Sequence, residues 1–543
     1  VIPVVRLEPG NQWDQNVLEL LFANKLYPTG LEFYVHDAVN LQGIDTTGIV
    51  LVIPGRYWYG HEAEIAQWIA QYQWVLAIKT GDEEDQFDVS KVKHPNIKWW
   101  VQTPRTDRDY GDAHLFGVGF PPHFNDLDPK PRDRILDVFL SAQKTHVRRQ
   151  AAFTTLSRDN GDYISLIEPT KGFTQGMKPD EYALHMTVTK VAPAPSGAFS
   201  PDSFRVYEAL EAHAVPIADD VSPVYDSTGY WAKVLPGTPF PVLTNYVNLP
   251  GYIRDILGDY PRRANRVAAW WMKQKRTMTD WLYEDLLALG AIRDRFWEFP
   301  ITVIITTSPI KSHPSTRIIE ETVESVRKQL PDCEIILVHD GVREEQEDRR
   351  SDYEEYIRRV LWLADHHWKN VLPLVFDEHL HQAVSTKRAL EYVRTPLLLF
   401  VEGDTPLTDG EIDWHGIVRT IINGDANLVR FSHESHILDP HKYLMLDDKP
   451  QDIRGVPMIR TVQWSQRPHL AALAFYRDLL DRYFPHDEKN FIEDVVYGKL
   501  HTAYNIDGVM GWHNWRTWIY HPEGNIQRSY HTDGREGEDK YDR

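Results

Sequence analysis

The sequence predicts an α/β protein: two adjacent Rossmann-like halves followed by a third, separate α/β domain. Three observations carry this. Short apolar runs alternate with amphipathic stretches over short connections, the signature of βαβ units and mainly parallel sheets. A Pro- and Asp-rich stretch, FNDLDPKPRDRILD (124–137), interrupts that alternation like a linker. A fresh series of apolar runs opens at 299, after a long helical stretch. A chain of 543 residues is also too long for one ordinary domain.

In order, TGIVLVIPG (47–55), QWVLAIKTGDEE (73–84) and IKWWVQTP (97–104) read as strands, with an amphipathic helix at HEAEIAQWIAQYQ between the first two. The second series runs through DVFLSAQ (137–143), DYISLIEPT (162–170) and ALHMTVTKVAPAP (183–195). A helix at DSFRVYEALEAHA (202–214) and the run VPIADD follow, and the helix RRANRVAAWWMKQKRTMTDWLYEDLLALG (262–290) closes this part. The third series comprises FPITVIITTSP (299–309), a helix near 315–330, CEIILVHDG (333–341), NVLPLVFDE, a helix around QAVSTKRALEYV, and PLLLFVEGD (396–404). The charged segment REEQEDRRSDYEEYIRR reads as a solvated helix. The expected domains are 1–130, 131–297 and 298–543.

Composition narrows the function classes. Hydrophobic residues at 42% and charged residues at 25% are the balance of a globular chain. A net charge of −20 disfavours nonspecific nucleic-acid binding. Cys333 is the single cysteine, so no intrachain disulfide forms. The first residues lack the marks of a signal peptide and no run of 18 apolar residues occurs, so a cytoplasmic protein without a membrane span is expected.

In open parallel sheets, ligands gather at the carboxyl ends of strands. Three such ends carry suitable groups: the hydroxyls of Thr306 and Thr307, the acceptor Asp340, and the pair Glu402 and Asp404 in LLLFVEGDTP. Mg²⁺ and Mn²⁺ take oxygen ligands, often one or two carboxylates plus substrate phosphates. The alternative for the acidic triplet is an ordinary strand-ending turn.

The order ITVIITTSP, EIILVHDG, LLLFVEGD, FIEDVVYG resembles the GT-A fold of family 2-type glycosyltransferases over about 298–543. The triplet matches that family's Asp-x-Asp motif with Glu402 in place of the first Asp, leaving Asp404 the safer ligand. The resemblance implies Mn²⁺ or Mg²⁺ and a nucleotide-diphosphate sugar as donor, bound by Thr306, Thr307, Asp340 and Arg388. It also implies a general base in the pair Glu493 and Asp494, with Asp494 preferred, and a further metal ligand from a late histidine, His521 or His531, with His531 preferred. In QWSQRPHLA (463–471), Trp464 and Arg467 are the acceptor-side candidates.

The stretch KVAPAPSGAFSPDSFRVYEALEAHAVPIADD (190–220) runs from a strand through a Gly- and Pro-containing loop into a helix. Its first turn carries Ser203 and Arg205, where free N–H groups and a guanidinium favour phosphate. Glu208 lies on the same face. The alternative is a packing helix with a surface ion pair. This stretch resembles the carboxyl half of exostosin-like GT-B glycosyltransferases. The resemblance implies that Glu208 binds ribose and Arg205 the phosphates, with Arg149 in THVRRQ as a second contact and no bound metal. The loops GRYWYGHE (55–62) and KTGDEED (79–85) sit at strand ends of the amino half, where the sequence singles out no base.

Together the resemblances imply a GT-B-like pair of Rossmann-like halves followed by a GT-A domain. The enzyme expected is a hexosyl- or pentosyltransferase with two sites: a metal-independent one, and a metal-dependent, inverting one. Missing membrane and signal segments point to a bacterial or phage enzyme rather than an animal exostosin. The acceptor stays open among glycan, protein and modified DNA, the last disfavoured by charge. Alternatively, only the GT-A module is active and the other half is a scaffold, or the chain is a carbohydrate-binding or structural protein that keeps the fold.

Overall fold

The computed structural model describes residues 1–7, 12–44, 46–159, 161–172, 175–221, 228–293 and 300–532. The acidic tail REGEDKYDR and the expected junction at 297/298 lie outside them. The chain divides into two compact units, Val1–Asp294 with Leu361–Lys369, and Arg295–Val360 with Asn370–Arg543. The fold is α/β with parallel, Rossmann-like sheets, as expected.

The first unit holds two fully parallel sheets. One has six strands in the order Phe33–Ala38, Ile2–Leu7, Gly48–Pro54, Trp74–Thr80, Ile97–Gln102 and His114–Phe116. Gly48–Pro54 and Trp74–Thr80 are buried along their whole length, as near-continuous apolar runs are when both faces of a sheet are covered. Lys79 breaks the apolar run, and its ammonium is paired with Asp82 and Asp85. The other sheet has the order Val242–Leu243, Val215–Asp219, Thr189–Ala194, Leu136–Gln143 and Ser165–Thr170. The run 183–195 divides between helix Pro179–Thr187 and strand Thr189–Ala194. Pro179 suits a helix start, and Ala183 and Met186 bury at helical spacing.

The second unit holds one nine-stranded sheet. Val371–Val375, Glu334–His339, Ile301–Thr307 and Leu397–Glu402 are parallel neighbours in that order. His469–Ala472 then pairs antiparallel with Leu397–Glu402, and the sheet continues through Leu428–Arg430, Thr517–Tyr520, Val456–Arg460 and Gln451–Ile453. The charged segment at 343–359 is not simply solvated. Helix Arg350–Leu363 buries Tyr353, Tyr356, Ile357 and Val360, an i, i+3, i+4, i+7 stripe hidden among its charges.

Among the parallel neighbours of each sheet, strand order reverses between Ile2–Leu7 and Gly48–Pro54, between Leu136–Gln143 and Thr189–Ala194, and between Ile301–Thr307 and Leu397–Glu402. Connections leave such a pair of strands in opposite directions, so a crevice opens at their carboxyl ends. No helix among the described residues is long and apolar enough to cross a membrane.

Candidate functional site

In the second unit a cavity of about 220 Å³ lies at the reversal point, lined by Thr306, Thr307, Asp340, Gln382, Glu402 and Asp404 among others. The turn after Leu397–Glu402 is drawn onto the neighbouring strand, with Gly403 N–H donating to the Thr306 carbonyl at 2.9 Å. A Cβ on Gly403 would lie 3.1 Å from that oxygen and from Thr307 Cγ2, so glycine lets the acidic turn sit this close. Thr307 Oγ1 lies 2.7 Å from His339 Nδ1, and burial pushes His339 down to about 3, leaving it neutral. His313 is likewise pushed down to about 3 by burial, and its ring stacks on Tyr356 at 3.9 Å between centres. One wall is therefore aromatic and uncharged.

Asp340 lines the cavity, but its carboxylate already accepts N–H groups of Gly341, Leu380 and His381 at 2.7–2.9 Å. Those bonds fasten the start of helix His381–Leu390 to the strand end.

The late histidines separate clearly. His531 Nδ1 lies 3.7 Å from Asp404 Oδ2. The segment carrying it runs beside the acidic turn: Tyr530 N–H donates to the Pro406 carbonyl at 3.1 Å and Thr532 N–H to the Asp404 carbonyl at 3.0 Å. His521 instead follows the strand Thr517–Tyr520, its N–H donating to the Pro457 carbonyl at 2.9 Å. Neither histidine lines the cavity, but His531 is the one that reaches the acidic turn, so the His521 alternative is corrected. The acidic turn thus holds two carboxylates, Glu402 and Asp404, with the His531 imidazole beside the second of them. Among the described residues the three ligand atoms do not close into a compact metal-binding group.

Glu493 and Asp494 both fall in the first turn of helix Ile492–Asp507, but they differ in placement. Glu493 Oε2 accepts the Gln466 N–H at 3.0 Å. The Gln466 amide meets that of Gln382, which donates to Glu402 at 3.0 Å. A relay of two amides therefore joins Glu493 to the acidic turn, whereas Asp494 is exposed to solvent.

Two other expectations are corrected. Trp464 is 2% exposed and packs on His469 and Tyr476, so it offers no open face to a sugar. Arg388 pairs with Asp487 at 3.0 Å and with Glu391, and it does not line the cavity. Arg467 makes a two-pronged pair with Glu434, beside the loop that holds Glu493.

In the first unit a cavity of about 700 Å³ opens between the carboxyl ends of the two parallel sheets. Ser203, Arg205, Glu208 and Arg149 all line one wall. Arg205 Nε donates to the Ser141 carbonyl at 2.9 Å and Arg149 Nε to the Ser196 carbonyl at 3.0 Å, which aims both forks from the reversal point of the second sheet. Burial and the neighbouring Arg205 push Arg149 down to about 10, still cationic at neutral pH. Glu208 accepts from the Tyr182 hydroxyl at 2.6 Å, and burial raises its carboxyl above the ordinary range. The loop before this helix needs Gly197, where a Cβ would lie 2.8 Å from the Asp202 carbonyl. The opposite wall carries Trp13 and Asp14, which the sequence did not single out, with Arg56 and the acidic loop after strand Trp74–Thr80, from the two strand-end loops it did.

A third cluster resembles a metal site. Ligand atoms of His213, Asp365 and His366 lie within 4.8 Å of one another. However, Lys275 Nζ sits 2.6 and 2.8 Å from the two Asp365 oxygens, so an ammonium already neutralises that carboxylate.

No protein-family model matches the chain. No curated protein matches it either. Solved structures do. A S. aureus TarS fragment, residues 1–349, in complex with UDP-GlcNAc is 16% identical, with 44% of this chain and 60% of that chain covered and a TM-score of 0.26. Mannosyltransferase PcManGT from Pyrobaculum calidifontis, in complex with GDP-Man and Mn²⁺, is 15% identical, with 50% and 68% covered and a TM-score of 0.28. A cytidylyltransferase from Leptospira borgpetersenii is 8% identical, with 42% and 79% covered and a TM-score of 0.25. The match spans 36% of the longer S. aureus TarS chain. These are likenesses to part of a fold, not to an activity.

Proposed function

We propose that the chain is a glycosyltransferase with two donor sites: a metal-independent GT-B-type site in the first unit and a metal-dependent GT-A-type site in the second. The observation that carries the reading is the meeting of His531 with Asp404 at a sheet's reversal point, beside Thr306 and Thr307. His531 approaches Asp404 from a distant part of the sequence, and this supports a cation held near the strand end, with small side-chain shifts closing Glu402, Asp404 and His531 around it.

In the second unit Glu402, Asp404 and His531 would hold Mn²⁺ or Mg²⁺. When bound, the cation offsets the charge that develops on the departing diphosphate. Tyr356 and His313 line the cavity as an uncharged wall, and Thr306 offers a hydroxyl to the donor. Glu493 takes the proton of the acceptor hydroxyl, a role preferred over Asp494 because Glu493 is tied by the amide relay to the acidic turn. A sugar hydroxyl is almost un-ionised at neutral pH, so removal of its proton during attack lowers the barrier. Attack from the face opposite the diphosphate inverts the anomeric centre. Arg467, with Glu434, borders the acceptor side. Hexosyl and pentosyl donors, and glycan, protein or modified-DNA acceptors, all meet these requirements.

In the first unit Arg149 and Arg205 bind the diphosphate and Glu208 accepts the ribose hydroxyls. Two guanidiniums supply there the positive charge that a cation supplies in the second unit.

The test is nucleoside-diphosphate release from a panel of UDP- and GDP-sugars, with Mn²⁺ and with EDTA. Two activities are expected, one abolished by EDTA and one indifferent to it. Release that ignores both metal and chelator throughout the panel defeats the reading of the second unit.

A further inference from the structure

The amino half of the first unit ends its strand Trp74–Thr80 in the loop KTGDEED, which faces the two arginines across the cavity. Four carboxylates follow one another there, and three are spent internally. Asp82 accepts the N–H groups of Gln86 and Phe87 at 3.0 and 2.9 Å. Glu84 accepts from the Gln86 side chain at 2.9 Å. Asp85 pairs with Lys79 and accepts from Arg108 and the Tyr110 hydroxyl. Glu83 alone of the four makes no hydrogen bond or ion pair among the described residues. Its Oε2 reaches to 3.9 Å from where a Cβ of Gly197 would stand, in the loop that leads to Ser203 and Arg205.

From this placement we infer that Glu83 is the base that activates the acceptor hydroxyl in the first unit. The inference rests on the donor-site reading of Arg149, Arg205 and Glu208. A carboxylate with no internal partner, on the wall opposite the phosphate-binding arginines, is where an acceptor must meet the anomeric carbon. Glu83 takes the hydroxyl proton onto a carboxylate oxygen as the acceptor oxygen bonds to the anomeric carbon. The bond from that carbon to the phosphate oxygen breaks, and its electron pair leaves with the nucleoside diphosphate, held by Arg149 and Arg205. The proton on Glu83 then passes to solvent.

The surroundings tune it for that work. Glu83 is exposed to solvent at the cavity mouth. The protein mass around it, with Asp202 and Asp14 nearby, pushes its carboxyl up to about 7, while Arg149 and Arg56 pull the other way. Asp82 and Glu84 are its charged neighbours in the loop. Asp202 itself is fully buried and bonded to Thr103 Oγ1 and the Val118 N–H, so it is not free to meet an acceptor.

The test uses the full chain in EDTA, with the UDP- and GDP-sugar panel and an oligosaccharide acceptor panel, and compares wild type, Glu83→Gln, Glu83→Ala and Asp14→Asn. Glu83→Gln is expected to bind nucleoside diphosphate within about twofold of wild type and to lose about 10²–10⁴-fold in transfer. A base that must be unprotonated gives a rate that falls as pH drops below about 7, and this limb should vanish in Glu83→Gln. Formate should restore part of the rate to Glu83→Ala. Transfer by Glu83→Gln within about threefold of wild type, a surviving acidic limb, or the large loss appearing in Asp14→Asn instead overturns the inference and leaves the donor site standing. Wild type that binds no nucleoside diphosphate in EDTA removes the donor site itself.

Discussion

The two cavities occupy equivalent places, each at a reversal point between parallel strands, yet the first sets arginines on one wall against carboxylates on the other, and the second gathers carboxylates at its strand end. The first presents Arg149 and Arg205 to its interior, while the second presents Glu402 and Asp404 with His531 close by. A diphosphate needs positive charge in either place. A guanidinium brings its own, fixed by a bond from Nε to a backbone carbonyl, and an acidic turn must borrow it from solution. On the proposed reading, position in the fold says where a ligand binds. The side chains at the strand ends say how its charge is met.

The largest expected effect attacks the borrowed charge. Asp404→Ala should cost the Mn²⁺-dependent activity about 10²–10³-fold, or ~2.7–4 kcal/mol of transition-state stabilisation. The EDTA-resistant activity should not change, because Asp404 lies in the other unit. Steady-state rates at saturating Mn²⁺ decide it, and equal losses in both activities would erase the contrast between the cavities.

A smaller effect probes the charge the protein brings itself. Glu208→Ala should weaken nucleoside-diphosphate binding in EDTA roughly ten- to hundredfold, the ~1.5–3 kcal/mol of hydrogen bonds to a charged group. Arg205→Ala should do the same for a diphosphate but much less for a bare nucleoside. Calorimetry with both ligands separates the two. If neither mutant loses affinity, helix Phe204–Glu211 is packing only.

Smallest of all is Arg388→Ala. Its side chain is paired on the surface with Asp487 and Glu391, so stability should fall by no more than ~1 kcal/mol and neither activity should move. A donor-affinity loss in this mutant would return Arg388 to the site.

Much of this was legible in the sequence, for a physical reason. Buried parallel strands are continuous apolar runs, so the first polar residues after them mark the carboxyl ends, and Thr306, Asp340, Glu402 and Asp404 stand there in plain sight. Facing is what local sequence hides. Trp464 and Arg388 have suitable chemistry, but only the packing of His469 and Tyr476, and the reach of Asp487, show that they are engaged elsewhere. His521 and His531 look alike until Thr532 binds the Asp404 carbonyl. Glu83 is hidden differently. Four carboxylates in one loop are indistinguishable as letters, and only their hydrogen bonds separate the one that stays unspent.

The strand-like pairing that carries His531 to Asp404 also sets an order in time. A chain leaving the ribosome presents Glu402 and Asp404 well before the codon for His531 has been read. All of the first unit's sequence, Leu361–Lys369 included, has been made before Glu402 is reached. Every residue lining the first cavity is thus made before the contact between His531 and Asp404 can form, which waits until synthesis nears residue 532.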